Sequence, residues 1–91
     1  MAPSIIWTDY LRYRAQLRDF DLDLIASILR MTDERYYDST TGRRIAIGQH
    51  RDALVMIPYD ADGSAITPVT IHATTRQQIR FRLRTGRFRY E

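Results

Sequence analysis

The chain contains no cysteine and no lysine, only four glycines and three prolines, and no long apolar run. Without cysteine, disulfide scaffolds, thiol catalysis and cysteine–zinc sites are excluded together. The longest apolar stretch, Ala53 to Pro58, falls far short of the ~20 residues that a membrane-spanning helix needs. Met1 to Ser4 are followed by just three apolar residues, Ile5, Ile6 and Trp7, too few for the core of a signal peptide. A cytoplasmic protein without membrane attachment is the expectation. The glycines are scattered, so no glycine-rich phosphate loop can be drawn. His50 and His72 stand alone, without zinc-ligand spacing. Asp60-x-Asp62-Gly63 is only faintly like a calcium loop, because Ile71 occupies the position where a bidentate carboxylate is needed. No metal and no cofactor are expected.

What the chain does have is the balance of a single globular domain, residues 1–91. Hydrophobic residues make up 44% and charged residues 27%, which sets it apart from disordered chains. A chain of this size buries somewhat over ~60% of its unfolded surface, so a few well-placed elements must supply the core. All fourteen basic residues are arginine. A GC-rich genome would favour arginine codons; guanidinium forks that pair bidentately with phosphate and stack on bases would favour the same residue. Distribution separates the two accounts. Six arginines and no carboxylate lie between Arg76 and Arg89, whereas Asp19, Asp21, Asp23, Asp60 and Asp62 lie elsewhere. This asymmetry is the electrostatic footprint expected for a polyanion, RNA first.

Periodicity supplies the elements. Ile5 to Thr8 can open the fold as a short strand, and Thr8 with Asp9 can cap a helix over about Asp9 to Asp19. Tyr10, Tyr13, Leu17 and Phe20 recur at helical steps and are expected in the core. Asp21 and Asp23 suit the start of a second helix running to about Met31, buried through Leu22, Ile25, Ile28 and Leu29. Strands are expected at Arg35 to Ser39, Arg44 to Gln49, Ala53 to Tyr59 (buried on both faces) and Pro68 to His72, with turns at His50-Arg51-Asp52 and at Asp60 to Ser64. Tyr36 and Tyr37 face opposite sides, leaving at most one free for stacking. From Ile79 the alternation with arginine fits a strand, and the same residues fit a helix capped by Thr74 or Thr75 and ended by Gly86. The cap and Gln77-Gln78 favour the helix. The order is then β-α-α-β-β-β-β-α, an α+β domain with a helical hairpin and helices packed on one face of a small, mainly antiparallel sheet.

On that helix Arg76, Arg80 and Arg84 form one stripe, which with Arg87 and Arg89 can hold two or three phosphates, while Phe88 and Tyr90 offer base-stacking surfaces. Arg14 and Arg18, one turn apart on the first helix, are further RNA-binding candidates. The plainer account of such a run is a solvated helix face. His72, at a strand end beside the arginines, can serve as general base or acid, since nearby cations favour its neutral form; the plainer account is a ring bonded to a loop carbonyl. His50 in its turn is a weaker candidate.

Three stretches resemble the RelE/BrnT-like group of small bacterial toxin nucleases and a related domain family of unknown function. They are Tyr10-Leu11-x-x-Arg14-x-x-x-Arg18 with Phe20-x-Leu22-x-Leu24-Ile25-x-x-Ile28-Leu29; Tyr37-Asp38-x-x-x-Gly42-Arg43-x-Ile45-Ala46 with Leu54 to Tyr59; and Pro68-Val69-Thr70-Ile71-His72-Ala73-Thr74-Thr75-Arg76-x-x-Ile79. The resemblance implies a type II toxin held by an acidic antitoxin and directed at RNA or the ribosome. It implies metal-independent cleavage in which the ribose 2′-hydroxyl attacks its own phosphate, giving a cyclic phosphate and a 5′-hydroxyl, with arginines stabilising the phosphoryl charge. On this likeness Arg76 matches the basic residue after the last strand, Tyr90 more loosely the C-terminal tyrosine of some members, and His72 can share proton transfer. The chain departs from the pattern in lacking lysine and in carrying Tyr10 where histidine is common. A non-catalytic RNA- or protein-binding module on the same fold is the alternative, and self-association is left open.

Overall fold

Polar side chains start each helix. In the computed structural model, which describes residues 3–91, the elements run β1 (Ser4–Ile5), α1 (Asp9–Leu17), α2 (Leu22–Met31), β2 (Arg35–Asp38), β3 (Arg43–His50), β4 (Ala53–Asp62), β5 (Ala65–Pro68), β6 (His72–Thr74), α3 (Arg76–Arg84) and β7 (Phe88–Tyr90). Thr8 Oγ1 accepts from the Leu11 amide at 3.1 Å, the Asp21 carboxylate from the Asp23 amide at 2.7 Å, and Thr75 Oγ1 from the Gln78 amide at 3.1 Å. Each bond satisfies an amide that the first helical turn leaves without a partner. Residues 76–84 are helical, so the strand reading of that segment does not hold, and Gly86 follows in the left-handed region at φ 80°.

The sheet has the order β1-β5-β4-β3-β2-β7, and β6 lies on the same side of β4 as β5. Every pairing is antiparallel except β1 with β5. The helices cover both faces, not one as the sequence suggested. On one side Leu11, Ala15, Ile25, Ile28 and Leu29 of the hairpin meet Ala46, Val55, Ile57 and Tyr59; on the other Ile79 and Leu83 of α3 meet Tyr36, Ile45, Ile47, Met56 and Phe88. The cause is the run Leu54 to Pro58, which has no polar position. Side chains of a strand alternate, so Val55 and Ile57 need cover on one side and Met56 on the other.

The α1 stripe is a second correction. Tyr10, Tyr13 and Leu17 are 58%, 61% and 61% exposed, and the helix is buried through Leu11 and Ala15; of the expected set only Phe20 packs against the core, half-buried. Leu11 and Ala15 enter the core through the face that the exposed residues do not share. α2 follows expectation, with Ile25, Ile28 and Leu29 buried and Leu22 packed at the margin. It lies directly on Gly48. A Cβ there would meet Ile28 Cγ2 at 2.5 Å. Gly48→Ala is therefore expected to destabilise the fold by about 1–3 kcal/mol, the usual cost of overpacking, as read from urea or thermal unfolding.

The expected last strand, Pro68 to His72, is divided. Pro68 ends β5 and His72 begins β6. Tyr59 pairs with Pro68 but Met56 with His72, so the interruption adds one residue opposite Ile57. An inserted residue of this kind turns the following side chains to the other face. Here it sends Ile71 into the hairpin-side core and brings His72 to the Met56 side. β4 also continues to Asp62, so the turn after it is shorter than expected.

β7 is an element that the sequence did not disclose. It pairs with β2 through Tyr36↔Tyr90 and Asp38↔Phe88. Asp38, 2% exposed, anchors the junction: its carboxylate accepts from the Thr40 amide at 2.9 Å and from Arg87 Nε and Nη2, each at 3.3 Å. Burial alone would raise the Asp38 carboxyl, but Arg87 and the Thr40 and Thr41 amides outweigh burial and hold it below the ordinary carboxylate value.

Candidate nucleic-acid interface

The inserted residue before β6 creates the site. It places His72 on β6, the strand paired with β4 at Met56, within reach of Arg14 from α1. From α1, Arg14 Nε donates to the Ile71 carbonyl at 3.3 Å, and Arg14 Nη2 lies 2.9 Å from His72 Nδ1. A guanidinium has donors and no acceptor. His72 Nδ1 must therefore accept, which puts the ring proton of the neutral imidazole on Nε2. Burial first, and then the charges of Arg14, Arg18 and Arg82, hold His72 below its ordinary value. A cleft of about 220 Å³ opens here between Arg14, Arg18, Phe20, Ile71, His72 and Ala73, without a carboxylate in its wall.

This arrangement suits anion recognition. Three cations act on one half-buried imidazole, whose Nε2–H can donate to an oxygen anion. It does not suit the general-base role considered for His72, because Nδ1 is occupied by Arg14 and Nε2 carries the proton. Arg14→Gln removes a cation and a donor, so the His72 pKa should rise toward its ordinary value in an NMR titration of the ring protons. The sign of the stability effect follows. With the folded value below the unfolded one, falling pH protonates the denatured chain first and destabilises the native state; in Arg14→Gln that loss should shrink.

The other candidates are dispersed. Arg76 Nη1 donates to both Glu34 oxygens, at 2.7 and 2.6 Å, and Tyr36 Oη donates to Glu34 Oε2 at 2.6 Å. Burial would raise the Glu34 carboxyl, yet Arg76 and Tyr36 outweigh it and lower the value; burial and the Glu34 carboxylate push the Tyr36 phenol up to about 12. Tyr90, 78% exposed, meets the Tyr36 ring edge-on at 5.6 Å. Arg76 therefore pairs with Glu34, Tyr90 lies against the Tyr36 that bonds the same carboxylate, and the cations acting on His72 are others. Arg87 is engaged by Asp38. Arg84 lies 5.9 Å from the centre of the Phe81 ring. Arg80 and Arg89 are exposed, with no ion pair among the described residues. Of the six arginines, Arg82, Arg84 and Arg87 border one groove, whereas Arg76 is held apart by Glu34. Phe88 is 1% exposed and cannot stack a base. His50 is structural: its Nε2 accepts from the Asp21 amide at 2.8 Å and its ring meets Phe20 edge-on.

Sequence reasoning missed Arg82 and Glu34. Arg82 stands three residues beyond the buried Ile79, on the flank of α3 that faces the sheet, and its side chain lies 5.6 Å from the Phe88 ring centre. That helical spacing could have singled it out. For Glu34 no local signal exists, because its partner is Arg76, 42 positions away.

Fold and cleft together define a small α+β domain with a cationic site at the outer side of a mixed sheet. No protein-family model, no curated protein and no solved structure matches the chain. The RelE/BrnT-like likeness thus rests on residue patterns alone. Among the described residues no helix is long and apolar enough to cross a membrane.

Proposed function

We propose that this protein is an RNA-directed domain that grips the phosphodiester backbone in the cleft at His72. The observation that carries this reading is the cleft itself: Arg14 bonded to the neutral His72, Arg18 in the same wall, and no carboxylate among its lining residues. Guanidinium groups recognise phosphate with geometry as well as charge, and a histidine N–H adds a donor without a further positive charge. RNA, more than another polyanion, follows from the resemblance to small toxin nucleases. In that setting the protein is the toxin of a type II pair, and an acidic antitoxin would compete with RNA for the cleft.

A second reading, metal-independent RNA cleavage, is favoured by the Glu34 cluster. Arg76 and Tyr36 keep Glu34 ionised, so that it can accept the 2′-hydroxyl proton as a weak base, with the exposed Tyr90 against Tyr36. The 2′-oxygen then bonds to phosphorus, the bond to the 5′-oxygen breaks, and that oxygen takes a proton from Tyr90 or water. Arg76 stabilises the phosphoryl charge. In this version Glu34 takes the proton that the sequence assigned to His72.

Incubating the purified chain with RNA, and separately with translating ribosomes, tests both readings, with Glu34→Gln and Arg76→Ala alongside. Cleavage that collapses in either variant establishes the nuclease. Salt-sensitive binding without product leaves the binding module. Neither binding nor cleavage in both conditions removes RNA from consideration.

A further inference from the structure

α3 and the turn after it carry a groove of about 410 Å³, within the ~300–1,000 Å³ typical of ligand sites. Its lining includes Phe81, which is 57% exposed on a helix whose one buried residue is Ile79. Arg84 lies by the Phe81 ring, and Gln77 and Gln78, four and three positions before Phe81, line the same groove. Residues at these spacings share a helix face. Gln78 Oε1 accepts from Thr74 Oγ1 at 3.0 Å, so its amide N–H groups remain to donate. Arg82 lines the groove, and its Nη1 lies 3.9 Å from Sδ of Met56, the residue paired with His72. The groove and the cleft are thus neighbours across the Met56–His72 pair.

An exposed aromatic ring, amide groups beside it, guanidinium groups around it and no carboxylate from residue 76 to residue 89 make up the chemistry that unpaired bases use. Bases stack on aromatic faces, amides bond their edges, and arginines follow the backbone. A duplex keeps those faces stacked inside and cannot present them. We propose that the Phe81 groove takes an unpaired nucleobase of the strand whose phosphate lies at His72, so that the protein selects single-stranded over double-stranded RNA. This rests on the RNA reading given above and adds the form of RNA recognised. An acidic protein segment is the competing occupant; it can bond the amides and guanidinium groups, but only a base fills the open ring face by stacking.

The test uses the whole chain and a labelled RNA of about ten nucleotides, free or annealed to its complement, with affinity read by fluorescence anisotropy at one salt concentration. The single strand should bind at least about tenfold more tightly than the duplex. Phe81→Ala should weaken single-strand binding roughly tenfold, in line with a lost stacking contact, and leave duplex binding unchanged. Phe81→Trp should keep the preference. Phe81 is exposed, so both variants should melt where the parent does, which separates stacking from folding. RNA binding that is indifferent to Phe81, or equal for strand and duplex, overturns this inference and leaves the cleft reading in place. No binding of either RNA overturns both. Protection of Phe81 by an acidic protein, and not by RNA, overturns the nucleobase assignment alone.

Discussion

Replacing Asp38 by alanine is expected to lower stability by roughly 3 kcal/mol, the range for breaking a buried ion pair by removing one partner. The Asp38 side chain is 3% exposed, whereas Arg87 is 41% exposed, so the stranded guanidinium can turn to water and the cost should sit at the low end of that range. What is lost with it is the acceptor for the Thr40 and Thr41 amides and the contact that fixes the start of β7. For a domain of this size the melting temperature should fall by about 12–24 °C. The pH dependence provides a second reading. The folded pKa of Asp38 lies below its unfolded value of 3.8, so its contribution is complete above that value and is lost as pH falls through the folded one. The acid limb of the parent's stability curve should therefore be steeper than that of Asp38→Ala. Parallel curves, or a melting temperature changed by only a degree or two, would show that β7 holds without the pair.

Short-range patterns announced what short-range physics decides. The Asp21 cap followed by Ile25, Ile28 and Leu29 fixes α2 because each residue lies within a turn or two of the next. The polar-free run from Leu54 fixes the central strand in the same way. On α1 two stripes compete. The aromatic one carries more hydrophobic area, yet the pair Leu11 and Ala15 wins, because the geometry of the sheet beneath, and not the helix, chooses which side lies down. β7 has three residues, too few to show a period, and exists through Asp38 and Tyr36, some fifty positions earlier.

The site was harder to read for a related reason. Of six arginines close together in sequence, three border the groove beside α3, and two are paired with Glu34 and Asp38. The cations that line the His72 cleft come from α1 and its C-terminal cap, with Arg14 58 positions from His72. A single inserted residue near Thr70 and Ile71 decides whether His72 meets them at all. Charge asymmetry pointed to the kind of ligand, and tertiary packing chose which charges can meet it.

The largest functional effect should come from Arg14 and Arg18 together. If both contact phosphate along with Arg82, removing the pair should weaken short single-stranded RNA binding by roughly a hundredfold, about tenfold for each ~1.4 kcal/mol lost. Salt dependence gives a sharper criterion. Three phosphate contacts on a single strand imply a slope of log affinity against log salt near −2, and one contact a slope near −0.7. Arg14→Ala/Arg18→Ala should thus flatten the line by about two thirds in anisotropy titrations across potassium chloride. Arg14 also holds the Ile71 carbonyl, so melting must be followed beside binding; Arg18, exposed, should cost affinity and no stability. Arg12→Ala, on the outward side of the same helix, should barely change either. An unchanged slope in the double variant would place the RNA elsewhere, because no loss of folding can preserve a salt dependence that these two charges were supplying.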